Sequence, residues 1–150
     1  MSVSVQEQDF DIGAETAALT KTRTDIGALV TFTGLARDHA GGKPVSEMTL
    51  EHYPGMTEKE LERIEAEAHQ RWDLQASRII HRYGRMKPGD NIVLVLTASA
   101  HRKDAFEAAE FLMDWLKTKA PFWKKETGPE GPEWVAAKAS DDEAAARWKR

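Results

Sequence analysis

Apolar and polar positions recur along the chain with two periods, and these outline the elements. Val3 and Val5 alternate with polar neighbours, the signature of a short strand. Asp11 or Gly13 is placed to open a helix carrying Ala14, Ala17, Ala18 and Leu19. Residues 27–36 (GALVTFTGLA) are rich in β-branched and aromatic residues and predict a buried strand. A loop with paired glycines follows over 37–44 (RDHAGGKP), then a strand over 45–53 (VSEMTLEHY). Pro54-Gly55 breaks the chain. Thr57 and Glu60 then fit a capping box, with Leu61, Ile64, Ala68 and Trp72 at helical spacing behind them. Segments 77–83 and 91–98 read as an antiparallel strand pair around the turn Lys87-Pro88-Gly89-Asp90. Asp104 is positioned to cap a helix whose apolar stripe is Ala105, Phe106, Ala109, Leu112, Met113 and Leu116, and Pro121 stops it. Short strands are expected at 122–126 and 133–137, and a short helix over 141–150. This order implies an α+β domain with helices packed on one face of a largely antiparallel sheet.

Composition narrows the picture. A chain of 150 residues, 41% of them hydrophobic, has the size and apolar content of one domain, taken as 1–150. The net charge of −4 disfavours non-specific binding to nucleic acid or to an anionic membrane. No apolar stretch approaches the roughly 20 residues of a membrane helix, and the first residues lack a signal-peptide core. A cytoplasmic protein is expected. There is no cysteine, which excludes disulfides, zinc–thiolate sites and cysteine nucleophiles together. If the protein handles sulfur, another molecule must carry it.

Four basic features remain. Lys117 lies four residues after Met113 and eleven after Phe106, nearly in line with the predicted stripe, so it either snorkels past the helix end or sits in a pocket. Lys124 and Lys125 follow Phe122-Trp123, cations beside an aromatic platform suited to a flat heterocycle bearing phosphate. Arg37, with His39, occupies the loop after a strand and offers a planar fork for phosphate or carboxylate. His101-Arg102 precedes a helix N-terminus, where a bound anion would relieve the conflict with the helix dipole. Each residue has an ordinary alternative as a solvated charge. The five histidines form no HExxH or i, i+4 pair, so no metal is expected, and His52 and His81 read as structural residues of strands. No phosphate-binding glycine loop or nucleophile elbow is present. The residues alone reach an anion-binding α+β domain, not a reaction.

Several stretches extend that reading. They are VTFTG (30–34) with Arg37 and His39 after it, LEHYPGMTEK (50–59), IHRYG (80–84), PGD (88–90), SAHR (99–102), AFEA (105–108) and MDWLKTKAPFWKKE (113–126). In this order they closely resemble the large, catalytic subunits of molybdopterin synthase, the MoaE family. The likeness runs from about Gly27 to Trp134, within an expected core of about 27–138.

The resemblance implies a hammerhead-type α+β fold and a sulfurtransferase. Such an enzyme converts cyclic pyranopterin monophosphate to molybdopterin without a cofactor of its own. The implied partner is a small ubiquitin-like subunit whose C-terminal glycine thiocarboxylate brings the sulfur. The implied assembly is a homodimer of large subunits within a heterotetramer. By matching motif, Lys117 corresponds to the family's catalytic lysine and Lys124 to its second active-site lysine. Arg37, His101 and Arg102 correspond to substrate-binding residues, the last two reaching the site from the neighbouring subunit. Phe32 and Met113 match apolar walls, and Lys138 stands where a further basic residue is expected. A module that binds the tail or the pterin without catalysis is the competing expectation. An RNA-binding sheet is disfavoured by the charge and by the lack of an aromatic RNA-binding pattern.

Overall fold

The computed structural model describes residues 2–135 and 139–149. The first of two four-stranded sheets is ordered β1-β6-β8-β2. It comprises β1 (Val3–Gln6), β6 (Leu74–Arg82), β8 (Asn91–Ser99) and β2 (Ala28–Leu35). β1 runs parallel to β6, and the other pairs are antiparallel. The β6–β8 pairing agrees with the expected antiparallel pair. Residues 93–99 of β8 are buried without interruption, because this strand is covered on both faces.

Two helices cover one face, α2 (Met56–Arg71) and α3 (Arg102–Thr118). Their Leu61, Ile64, Ala68, Phe111, Leu112 and Leu116 pack on Val3, Ile79, Val93 and Val95. The alternate strand residues Ile80, Leu94 and Leu96 point the other way, onto Phe10 and onto Ile12 and Leu19 of the short helix α1 (Ile12–Thr20). Asp11 caps α1, its Oδ1 accepting from the Ala14 N–H at 2.9 Å.

The second sheet is ordered β10-β9-β5-β7. Its strands are β10 (Gly131–Val135), β9 (Phe122–Gly128), β5 (Glu47–His52) and β7 (Gly84–Met86). Met48, Leu50, Met86 and Ala36 form its small core. Within the expected loop, β3 (His39–Ala40) and β4 (Lys43–Pro44) pair as a ribbon about Gly41-Gly42, both at positive φ as a tight hairpin turn demands. A last helix, α4 (Ala139–Ala146), packs on α3. The α+β class and the two main helices on one face are as expected.

Four local expectations are corrected. Helix α2 starts at Met56, with Gly55 as N-cap and the Glu58 carboxylate accepting from the Gly55 N–H at 2.9 Å. Thr57 is fully buried and donates its hydroxyl to the Tyr53 carbonyl at 2.8 Å, so it ties the helix to β5 instead of capping it. Helix α3 starts at Arg102 rather than after Asp104, which lies in the first turn and accepts from the Asp73 N–H at 3.2 Å. Phe106 is 60% exposed, because the buried stripe runs through Ala105, Ala108, Leu112 and Leu116 and leaves Phe106 beyond its border. The three-residue β7 was not anticipated; it is too short to show a period.

Candidate functional site

The site assembles where the two sheets meet beneath the C-terminal end of α3. In the first sheet the pairing sets Gly34, Val93 and His81 in one row, on the face that α3 covers. Phe32, Val95 and Ile79 form the next row of that face. Gly34 has no room for a side chain: a Cβ there would stand 2.8 Å from Val93 Cγ1. Leu116 belongs to the same buried cluster as Val93 and Ile79, so the last turn of α3 shares a core with this face of the sheet. Met113 is half-buried against the same core, and Lys117 lies one turn beyond it on the same side of the helix.

The chain then leaves α3, turns at Pro121 and enters β9. Phe122, its first residue, stacks on His81 with ring centroids 3.8 Å apart and planes 18° from parallel. This contact joins the two sheets. His52 of β5 extends the wall, 6.1 Å from Phe122 and 4.4 Å from Tyr83, with its Nδ1 3.1 Å from Thr57 Oγ1. Alternation along β9 puts Lys124 on the same face as Phe122, directly opposite the buried Leu50. Its Nζ lies 3.7 Å from Glu126. Lys125 points the opposite way and sits over the Trp134 ring at 5.5 Å.

Lys117 is exposed, so it stands at the rim of the junction and not in a sealed pocket. Its charge is nevertheless felt by His81. Burial pushes the His81 ring from an ordinary value of 6.5 down to about 4, and the nearby Lys117 and His52 add to the depression. The His81 Nδ1–H donates to the Arg82 carbonyl at 2.9 Å; a carbonyl can only accept, so the proton of the neutral ring sits on Nδ1.

Arg37 is exposed in the loop after β2. Its neighbour Ala36 packs among Met48, Leu50 and Met86, while Ala36 N–H to Asp90 O (2.9 Å) and Gly89 N–H to Ala36 O (2.7 Å) pin the backbone. Arg37 therefore follows directly on a residue anchored in the small core of the second sheet. His39 instead pairs with Asp38 at 2.8 Å, which holds the Asp38 carboxyl below its usual range.

His101 and Arg102 are not part of this junction. They begin α3, whereas Lys117 is near its end, 15 positions after Arg102 and so about 22 Å along the helix. Both line a second surface hollow of about 720 Å³, with Gly27, Ala100, Phe106 and Glu107. Lys138 lies outside the described residues. Thus Lys117 lies near His81, and His81 stacks on Phe122 of the strand that also carries Lys124. Phe32 shares the sheet face of His81, Met113 is one turn before Lys117, Arg37 stays in the loop after β2, and the His101-Arg102 pair faces elsewhere in the same chain. From sequence, His81 and His52 read only as structural residues of strands. The signal available was parity: His81 is two residues from Ile79 and so shares its buried face.

Among the described residues no three His, Cys, Asp or Glu side chains are grouped to hold a metal ion. No described helix is long and apolar enough to cross a membrane.

The depressed His81 value has a consequence for stability. Above pH 6.5 the ring is neutral folded and unfolded, and contributes no pH dependence. Between 6.5 and about 4 the unfolded ring takes a proton that the folded ring refuses, so stability falls as pH falls; below about 4 the loss levels off, at roughly 3 kcal/mol. Urea unfolding from pH 7 to 4.5 is expected to show this slope in the native chain and a flatter one in His81→Gln. Equal slopes would remove His81 as its source.

Comparison with known proteins gives a consistent picture. A family model described as MoaE protein matches residues 5–119. A molybdopterin synthase catalytic subunit of Mesorhizobium japonicum is 59% identical, over 99% of this chain and 93% of that one. The structure of a molybdopterin biosynthesis MoaE protein from Burkholderia ambifaria superposes with a TM-score of 0.84 at 53% identity, covering 99% of this chain and 98% of that one. A crystal structure of molybdopterin synthase from Staphylococcus aureus superposes with a TM-score of 0.83 at 29% identity, covering 91% and 98%.

Proposed function

Because the chain belongs to the MoaE family of molybdopterin synthase catalytic subunits, and so is an enzyme of molybdenum cofactor biosynthesis, we propose the following reaction for it. It converts cyclic pyranopterin monophosphate to molybdopterin, taking each sulfur from the C-terminal thiocarboxylate of a small ubiquitin-like subunit. The observation that carries this reading is the junction itself. An exposed ammonium, Lys117, stands beside an aromatic wall of His81 and Phe122, and Lys124 lies on the same strand face as Phe122. A flat, anionic heterocycle needs a wall and cations, and an incoming anionic tail needs a cation it can reach from solvent.

In this mechanism Lys117 is the general acid and base during attack by the thiocarboxylate. Its place at the rim lets a peptide tail approach without opening the core. Lys124 orients the pterin or assists opening of the cyclic phosphate. Arg37 holds the phosphate and neutralises developing charge together with His101 and Arg102. The separation of about 22 Å along α3 supports delivery of that pair by a neighbouring copy, in a homodimer within a heterotetramer. Phe32 and Met113 supply apolar walls, and Lys138 a further basic contact. Two sulfurs require two donor visits, so the small subunit binds reversibly.

The test is direct. Incubated with cyclic pyranopterin monophosphate and a thiocarboxylated small subunit, the protein is expected to release the dithiolene product, detected by mass. Binding of both without product would show a binding module instead.

A further inference from the structure

His81 is more than nine-tenths buried, and one face of its ring is covered by Phe122. Its Nδ1 is committed to the Arg82 carbonyl, which leaves the other ring nitrogen, Nε2, as a bare acceptor. Among the described residues Nε2 has no hydrogen-bond partner. It is not sealed either, since the only fully enclosed side-chain nitrogen or oxygen there without a partner is Gln75 Oε1. The small exposure that His81 retains therefore includes its acceptor edge. That edge belongs to the same face of the first sheet as Phe32, at the junction holding Lys117, Phe122 and Lys124. An acceptor held rigidly at a solvent-touching edge beside an aromatic wall, with no donor from the described residues, is open to a donor from a bound molecule.

We infer that His81 is a substrate-contacting residue whose Nε2 accepts a hydrogen bond from an N–H of the flat heterocycle bound beside Phe122. This rests on the functional reading above and adds a specificity element to it. The lysines and arginine recognise charge, which any phosphate carries. A fixed neutral acceptor recognises a donor at one point on a ring edge, and discriminates against a heterocycle lacking it. An imidazole suits the place because it accepts without a charge, whereas a carboxylate would pair with the neighbouring ammonium. The depression of the ring to about 4 keeps the lone pair available at neutral pH.

The experiment compares the native chain with His81→Phe, which keeps a ring against Phe122 and removes the acceptor, and with His81→Gln, which keeps an acceptor. Affinity for cyclic pyranopterin monophosphate and for the small subunit is measured separately by calorimetry. His81→Phe is expected to bind the pterin about tenfold more weakly, His81→Gln to recover most of that loss, and neither to change affinity for the small subunit. In the ¹⁵N-histidine-labelled native protein, the Nε2 resonance of His81 is expected to move on adding the pterin and not on adding the small subunit alone. That measurement decides the matter even if the Phe variant does not fold. Equal pterin affinity in native and His81→Phe protein, a stationary resonance, or a response to the small subunit instead would each overturn the inference alone. A native protein that binds no pterin phosphate would overturn the functional reading and this inference with it.

Discussion

Replacing Lys117 by alanine is expected to lower product formation by about 10²- to 10⁴-fold, the range associated with removing a general acid or base. The expectation follows from where the side chain stands. Lys117 is exposed on the last turn of α3, so its loss leaves no cavity, and the apolar packing of Leu116 and Met113 is retained. Surface substitutions of this kind usually change stability by no more than about 0.5 kcal/mol. A large kinetic defect in a normally stable protein would therefore be chemical in origin. The informative measurement is single turnover with saturating thiocarboxylated subunit, beside the thermal midpoint. Undiminished turnover would remove Lys117 from the mechanism. The variant should also raise the titration midpoint of the His81 ring, since one of the charges that holds it low is gone.

Mixing two inactive variants is expected to restore activity. Arg102→Ala removes the cation at one end of α3, and Lys117→Ala the ammonium at the other, about 22 Å away. If each site takes Lys117 from one copy and Arg102 from its neighbour, a mixed dimer of these chains holds one site with both residues and one with neither. Random exchange makes about half the dimers mixed, so recovery should approach roughly a quarter of native activity. Each variant alone should stay far below that. If mixing recovers nothing after subunit exchange has been verified by mass, Arg102 serves the hollow beside Phe106 and Gly27 in its own chain, and the shared site is wrong.

Local patterns were read well where one physical preference ruled. The apolar run of 91–98 became β8, the alternation of Val3 and Val5 became β1, and Asp11 capped α1, because each depends on near neighbours only. The errors came where neighbours distant in sequence intervened. Thr57 has the chemistry of an N-cap, yet burial against Tyr53 and His52 gave its hydroxyl another use. Phe106 fits a helical stripe by spacing. The face α3 buries is centred on Ala105, Ala108 and Leu112, so spacing alone misjudged its border at Phe106 by one position, while for Lys117 it left two outcomes open, of which the exposed one is found. The candidate site was legible as a set of basic residues and motifs, and through their resemblance to a known family. That Lys124 shares a strand face with Phe122 follows from alternation and was open to inspection. That Phe122 meets His81 was not, because 40 residues lie between them and nothing in either motif refers to the other.

Residue order therefore settles this protein's class, its main elements, its want of cysteine and the identity of its cations. These follow from periods of two and 3.6 residues and from side-chain chemistry, which need no distant contact. Tertiary packing alone decides that the end of α3, the row through His81 and the start of β9 converge, and that His101 and Arg102 lie apart from them. Such convergence depends on how two sheets and a helix share one buried volume, a property of shape that no local pattern encodes.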